Sequence, residues 1–160
     1  MADSSPVVRE CDYLADIPQV AGLFQEYVAW IGLDLAFQGF AAELAALPGC
    51  YAPPGGRLIV ADHHGLLVGV VGLRRFGAKD GEIKRLFVKP EWRGRGIASA
   101  LVARILAEAE RMDFAGLYLD TLASMTAAIA VYTRFGFAEV PPYYMNPLPD
   151  VVYFRRDARK

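Results

Sequence analysis

The sequence predicts an α/β (α+β) domain, a mixed sheet with helices packed against its faces. Three observations predict it. Two β-rich runs, Arg57 to Ala61 and Leu66 to Phe76, are split by the turn chemistry of Asp62-His63-His64-Gly65 and so read as a hairpin. A strand-helix-strand-helix order follows from Glu82 to Phe135. No repeat, low-complexity tract or linker divides residues 1–160, so they are read as a single domain with a substantial core.

The elements follow in order. Val7 to Cys11 is short and partly β-branched, and it precedes a helix that Asp16 is placed to cap, with Pro18 in the first turn. In that helix Val20, Leu23, Phe24, Tyr27, Val28 and Ile31 recur at the spacing of one buried face, with Gln25 and Glu26 on the other. A weaker helix from about Phe40 to Leu47 stops at Pro48-Gly49, and Pro53-Pro54-Gly55-Gly56 breaks regular structure before the hairpin. Glu82 to Val88 is a third strand, ending at Lys89-Pro90. The helix beyond the next turn has an apolar stripe of Ile97, Leu101, Val102, Ile105, Leu106 and Ala109, from which Arg104, Glu108 and Arg111 fall away. Leu117 to Asp120 reads as a strand, Thr126 to Phe135 as a helix closed by Gly136, and Val151 to Arg155 as the last strand.

Composition removes several classes of function. Lys plus Arg number 17 against 18 Asp plus Glu, so no basic footprint points to nucleic acid. The longest apolar stretches, such as Leu66 to Leu73, fall far short of the roughly 20 residues of a membrane helix. The N-terminal residues lack the charged and apolar regions of a secretory signal, so the expected location is cytoplasmic. Cys11 and Cys50 show no paired spacing and are expected to be buried thiols. His63 and His64 are expected in a solvated turn, and no metal site is expected.

The chemistry concentrates at Arg93-Gly94-Arg95-Gly96-Ile97-Ala98, between a strand and a helix. There the first unpaired N–H groups of the helix point into the loop, the glycines let backbone approach a ligand, and the arginines add positive charge. A pyrophosphate would be held at such a turn. A P-loop would need Lys then Ser or Thr where Ile97-Ala98 stand, and a dinucleotide fingerprint would need glycine at Ser99. Alone, the six residues leave an anion site and an ordinary strand-to-helix loop as even alternatives.

The surroundings choose between them. Val88, Pro90 and Arg93-x-x-Gly96-x-Ala98 resemble the pyrophosphate-binding segment of the GNAT superfamily of N-acetyltransferases. Ala128-Ile129-Ala130-Val131-Tyr132 with Phe135-Gly136-Phe137 is similar to that superfamily's closing helix, and together the two segments cover roughly Glu82 to Val140. Glu82-Ile83-Lys84-Arg85-Leu86-Phe87-Val88 and Pro142-Tyr143-Tyr144-x-Asn146-Pro147 resemble a bacterial branch of small single-domain members.

The resemblance implies a mostly antiparallel central sheet with a splayed central strand, acetyl-CoA as cosubstrate, and transfer of acetyl to a primary amine of a small molecule, amino acid or peptide. It implies acetyl-CoA contacts from Leu86, Phe87 and Val88, from Arg93, Gly94, Arg95, Gly96, Ile97 and Ala98, and from Tyr132. The amide of Val88 would face the developing oxyanion, Tyr132 would be the acid near the sulfur, and Glu82 the base acting through water. Tyr27, Trp30, Phe37 and Gln38, with Tyr143, Tyr144 and Asn146, are the expected acceptor-binding set. One departure is Met125, where many members carry Asn; Met cannot donate that hydrogen bond to the cofactor arm. Homodimers are common in such families, and assembly leans that way. The alternative to an enzyme is a noncatalytic acyl-CoA-binding or regulatory module.

Overall fold

A computed structural model describes residues 4–158. Its seven strands form one sheet in the order β1-β2-β3-β4-β5-β7-β6. β1 (Val7–Glu10), β2 (Arg57–His63), β3 (Leu66–Phe76) and β4 (Asp80–Val88) are an antiparallel series, and β5 (Gly116–Leu122), β7 (Val151–Asp157) and β6 (Ala138–Val140) another. The two series meet at a parallel β4–β5 pair, joined by the crossover helix α3 (Ile97–Arg111). The sheet is mixed, as the order of elements predicts, and mostly antiparallel, as the resemblance implies. The short β6 was not foreseen; only its pairing with β7 makes those three residues a strand.

Two cores flank the sheet. Along β2 the alternating side chains Leu58 and Val60 face one side while Ile59 and Ala61 face the other, and all four are fully buried. On the first side they meet Val20, Leu23 and Phe24 of α1 (Ile17–Ile31). On the second they meet Leu101, Val102 and Ile105 of α3, next to Tyr132 of α4 (Thr126–Arg134). Each such Val or Leu contributes about 1.5–3 kcal/mol, which makes these faces the main hold on the fold. The weaker helix α2 (Phe40–Ala46) buries no residue completely.

Three local expectations need correcting. Asp16 caps no N–H of α1; its carboxylate instead accepts from Arg9 Nη1 at 2.7 Å and from the Asp12 backbone N–H at 2.7 Å, because β1 brings Arg9 beside it. Glu108 does not fall away into solvent: α3 lies across β2, and the buried carboxylate meets Arg104, Arg111 and Arg57 at 3.1, 2.7 and 3.5 Å. Cys11 is buried as expected, but Cys50 is exposed on the short 3-10 turn that leads to β2. Among the described residues, no helix is long and apolar enough to cross a membrane.

The feature that positions the site lies in β4. Between the pairs Val70↔Phe87 and Gly72↔Lys84, β4 advances one residue more than β3, and Arg85 takes up that bulge at φ +62°. A bulge bends its strand. β4 pairs with β5 only at Gly81↔Leu117 and Glu82↔Tyr118, whereas β5 stays paired with β7 as far as Leu122. The two strands therefore part, giving the splay that the resemblance implies.

Candidate active site

The gap between β4 and β5 opens into a cleft of about 370 Å³ that runs from the α3 N-terminus to the loop before β7. At the α3 end, Gly94 and Gly96 sit at φ +76° and +79°, where an L side chain is strained, and a Cβ on either would meet nothing within 4 Å. The glycines are thus required by backbone angle, and the space before them is free for a ligand. Gly96 is the N-cap of α3 and no side chain caps the helix; the Ala100 N–H to Gly96 carbonyl bond, 3.1 Å, opens its ladder. The first-turn amides and the positive end of the helix dipole therefore point into the cleft mouth. That donor set fits a pyrophosphate.

The two arginines of the turn differ. Arg93 lines the cleft, stacked 4.2 Å over the Trp30 ring, with Nε donating to the Val88 carbonyl at 2.9 Å. Arg95 is exposed, its guanidinium 4.6 Å over the ring of Trp92, a cleft residue, with Nη2 donating to the Glu91 carbonyl at 3.4 Å. Ile97 and Ala98 line the cleft with Gly94 and Gly96.

Leu86, Phe87 and Val88 form the β4 wall. The Lys89 N–H donates to Val68 of β3 at 2.9 Å, so in extended chain the N–H of its neighbour Val88 points to the opposite edge, which β5 has left. An unpaired amide there is available to an oxygen of a ligand.

Tyr132 projects from α4 into the middle of the cleft. Among the described residues its hydroxyl has no hydrogen-bond partner. Burial pushes its pKa well above the ordinary tyrosine value, and nearby Tyr27 and Asp120 act the same way, so the phenol holds its proton. Met125 also lines the cleft, and its sulfur accepts from Thr121 Oγ1 at 3.4 Å, so the position makes no polar donation.

Past Tyr132 the walls change character. Lys84, Arg85 and Asp120 line this end. Arg85 grips Glu43 through Nε at 2.9 Å and Nη2 at 3.1 Å, and Nη1 donates to Gln38 at 2.8 Å. Lys84 donates to Asp120 Oδ1 at 3.2 Å, while Asp120 Oδ2 accepts from the Tyr144 hydroxyl at 2.7 Å. The left-handed backbone of Arg85 costs roughly 1–2 kcal/mol for a residue with a side chain, and these contacts hold it there.

The expected acceptor set divides. Tyr27, Trp30, Gln38 and Asn146 line the cleft. Tyr143 and Tyr144 stand behind the wall, bonded to Glu82 and Asp120 at 2.7 Å each. The Phe37 side chain lies outside the described residues. Glu82 does not line the cleft either: it is 1% exposed, with Oε1 held by Arg74 at 2.8 Å and Oε2 by the Tyr143 hydroxyl. Sequence reasoning missed Lys84, Arg85 and Asp120 as site residues. The signal was present: two consecutive cations interrupt a strand otherwise built for burial.

Comparisons with known proteins bear on the same region. The acetyltransferase (GNAT) family profile matches residues 23–137. An uncharacterized N-acetyltransferase of Schizosaccharomyces pombe is 40% identical over 147 residues, which span 91% of this chain and 90% of that protein. Among solved structures, an acetyltransferase of the GNAT family from Staphylococcus aureus superposes with a TM-score of 0.78 at 20% identity, covering 96% of this chain and 100% of the other. The PaiA N-acetyltransferase of Thermoplasma acidophilum, solved in complex with coenzyme A, gives a TM-score of 0.72 at 15% identity, with 96% and 99% covered.

Proposed function

The chain belongs to the acetyltransferase (GNAT) family and is an acetyltransferase, and from that premise we propose that it moves acetyl from acetyl-CoA to a primary amine of a small molecule, amino acid or peptide by direct attack on the thioester. The observation that carries this reading is the unpaired β4 edge at Val88, with the α3 N-terminus on one side and the free Tyr132 hydroxyl on the other.

Each requirement of the reaction finds a group. The α3 amides and Arg93 hold the pyrophosphate, and the open edge of β4 takes the pantetheine arm. The Val88 N–H faces the oxygen that gains charge as the amine attacks. Tyr132, kept protonated by burial, gives its proton to the departing thiolate. For the amine's proton, Asp120 acting through water is better placed than Glu82, because Asp120 lines the cleft whereas Glu82, 1% exposed, does not. A cytoplasmic location and a homodimer belong to the same proposal; cell fractionation and light scattering test them.

The deciding experiment is acetyl-CoA-dependent thiol release across a panel of amines, with ligand-induced thermal stabilisation measured in parallel. Amine-dependent thiol release is expected. Stabilisation by CoA with no thiol release from any amine would favour a noncatalytic binding module, and stabilisation by NAD instead would remove the CoA reading.

A further inference from the structure

We infer that the acceptor is a free amino acid with an apolar side chain, whose carboxylate is held by Lys84 and Arg85; the inference rests on the N-acetyltransferase reading above.

A regular strand sends neighbouring side chains to opposite faces, but the bulge at Arg85 lets two consecutive cations line one cleft. Both are almost wholly buried, the side chain of Lys84 6% exposed and that of Arg85 2%. Neither has spent its donors. An ammonium has three N–H and Lys84 uses one, on Asp120; a guanidinium has five and Arg85 uses three on Glu43 and Gln38 and turns another to the Tyr27 hydroxyl. Two N–H groups on Lys84 and one on Arg85 are left over, against the two oxygens and roughly four lone-pair sites of one carboxylate.

Charge narrows the class. Lys84 and Arg85 are balanced by Asp120 and by Glu43 behind the wall, so the cluster is neutral as it stands. A zwitterion adds no net charge, whereas a diamine or a dicarboxylate would bring unmatched charge into a buried site. Orientation follows from the same residues. Asp120 faces the cleft and takes the amine, while Lys84, on its Oδ1 at 3.2 Å, and Arg85 next to it take the carboxylate, which in an α-amino acid stands one carbon from the amine. Ile31, Leu35 and Leu148 add apolar lining to the same cleft for the amino acid's side chain.

Leucine, leucinamide and 3-methylbutylamine share one apolar body and differ in the carboxylate, so thiol release with the three is the test, run within a panel of free amino acids, their amides and short peptides. Free amino acids are expected to exceed their amides in kcat/KM by about tenfold or more, the loss expected for one hydrogen bond to a charged group. Lys84→Met is expected to raise the KM for leucine about tenfold more than that for leucinamide, since both lose the ion pair that holds Asp120 and only leucine loses its carboxylate partner, and Lys84→Arg to restore most of that difference. Thermal stabilisation by acetyl-CoA checks that each variant is folded. Amides or peptides used as well as free amino acids, or a Lys84→Met loss equal for leucine and leucinamide, would overturn the inference and leave the acetyltransferase reading standing. Acetyl-CoA binding with no thiol release from any amine would overturn both.

Discussion

At one end of the cleft the unpaired groups are backbone amides, those of the first turn of α3 and of Val88. At the other end they are side-chain donors held by ion pairs, Lys84 on Asp120 and Arg85 on Glu43. At the first end the α3 amides are set by short-range conformation, two left-handed glycines and a helix start within a few residues, and only the Val88 amide depends on β5 having left. The second is made by partners 36 and 42 residues apart in the chain. A backbone-built end suits a ligand part that never varies, while a side-chain-built end can change its specificity by substitution without disturbing the fold. Tyr132 stands where the two ends meet.

The largest expected effect comes from cutting that junction. Tyr132→Phe should lower kcat about 100-fold, the low end of general-acid contributions, while acetyl-CoA affinity by calorimetry stays within about twofold. Unchanged turnover with a good acceptor would remove Tyr132 from the acid role and leave the two ends without a chemical link.

A smaller effect should be confined to the backbone-built end. Gly96→Ala forces a side chain into φ +79°, at a cost of roughly 1–2 kcal/mol, so acetyl-CoA should bind about tenfold more weakly while the acceptor KM is unchanged. A change in acceptor KM of similar size would show that the ends are not separate.

The smallest effect concerns the side-chain end and pH. Burial raises the pKa of Tyr143 and Tyr144, helped by Glu82 and Asp120, so the folded protein keeps both protons where the unfolded chain loses them. Groups with raised pKa give stability that is complete below about pH 10, the unfolded tyrosine value, and is lost as pH climbs beyond it, by up to about 1.4 kcal/mol per pH unit for each proton. The melting temperature should therefore fall above about pH 10, and less steeply in Tyr143→Phe. An identical alkaline slope in that variant would mean that Tyr143 holds no such proton.

Much of the fold was legible. The hairpin, α3 with its apolar stripe and the order of the later elements follow from periodicity and turn residues, which act over a few positions. β6 was not legible, since Ala138–Val140 carries no strand pattern and exists by pairing with β7. Glu108 misled for a similar reason, because its helical position lies off the stripe but β2 brings Arg57 to it. In the site, Gly94, Gly96, Val88 and Tyr132 were readable from local sequence and its resemblance. Glu82 was placed by position along the strand, which cannot tell that Arg74 and Tyr143 occupy both its oxygens.

By itself the sequence determined the sheet's series, the helix start at Ile97 and the glycine turn before it, because left-handed angles and helix ends are local demands. Only the tertiary structure decided that β4 parts from β5, that Arg93 stacks on Trp30 while Arg95 stacks on Trp92, and that Lys84 and Arg85 share one wall. Those outcomes depend on a bulge and on ion pairs between distant segments, and such pairs take shape only when the chain has folded around them.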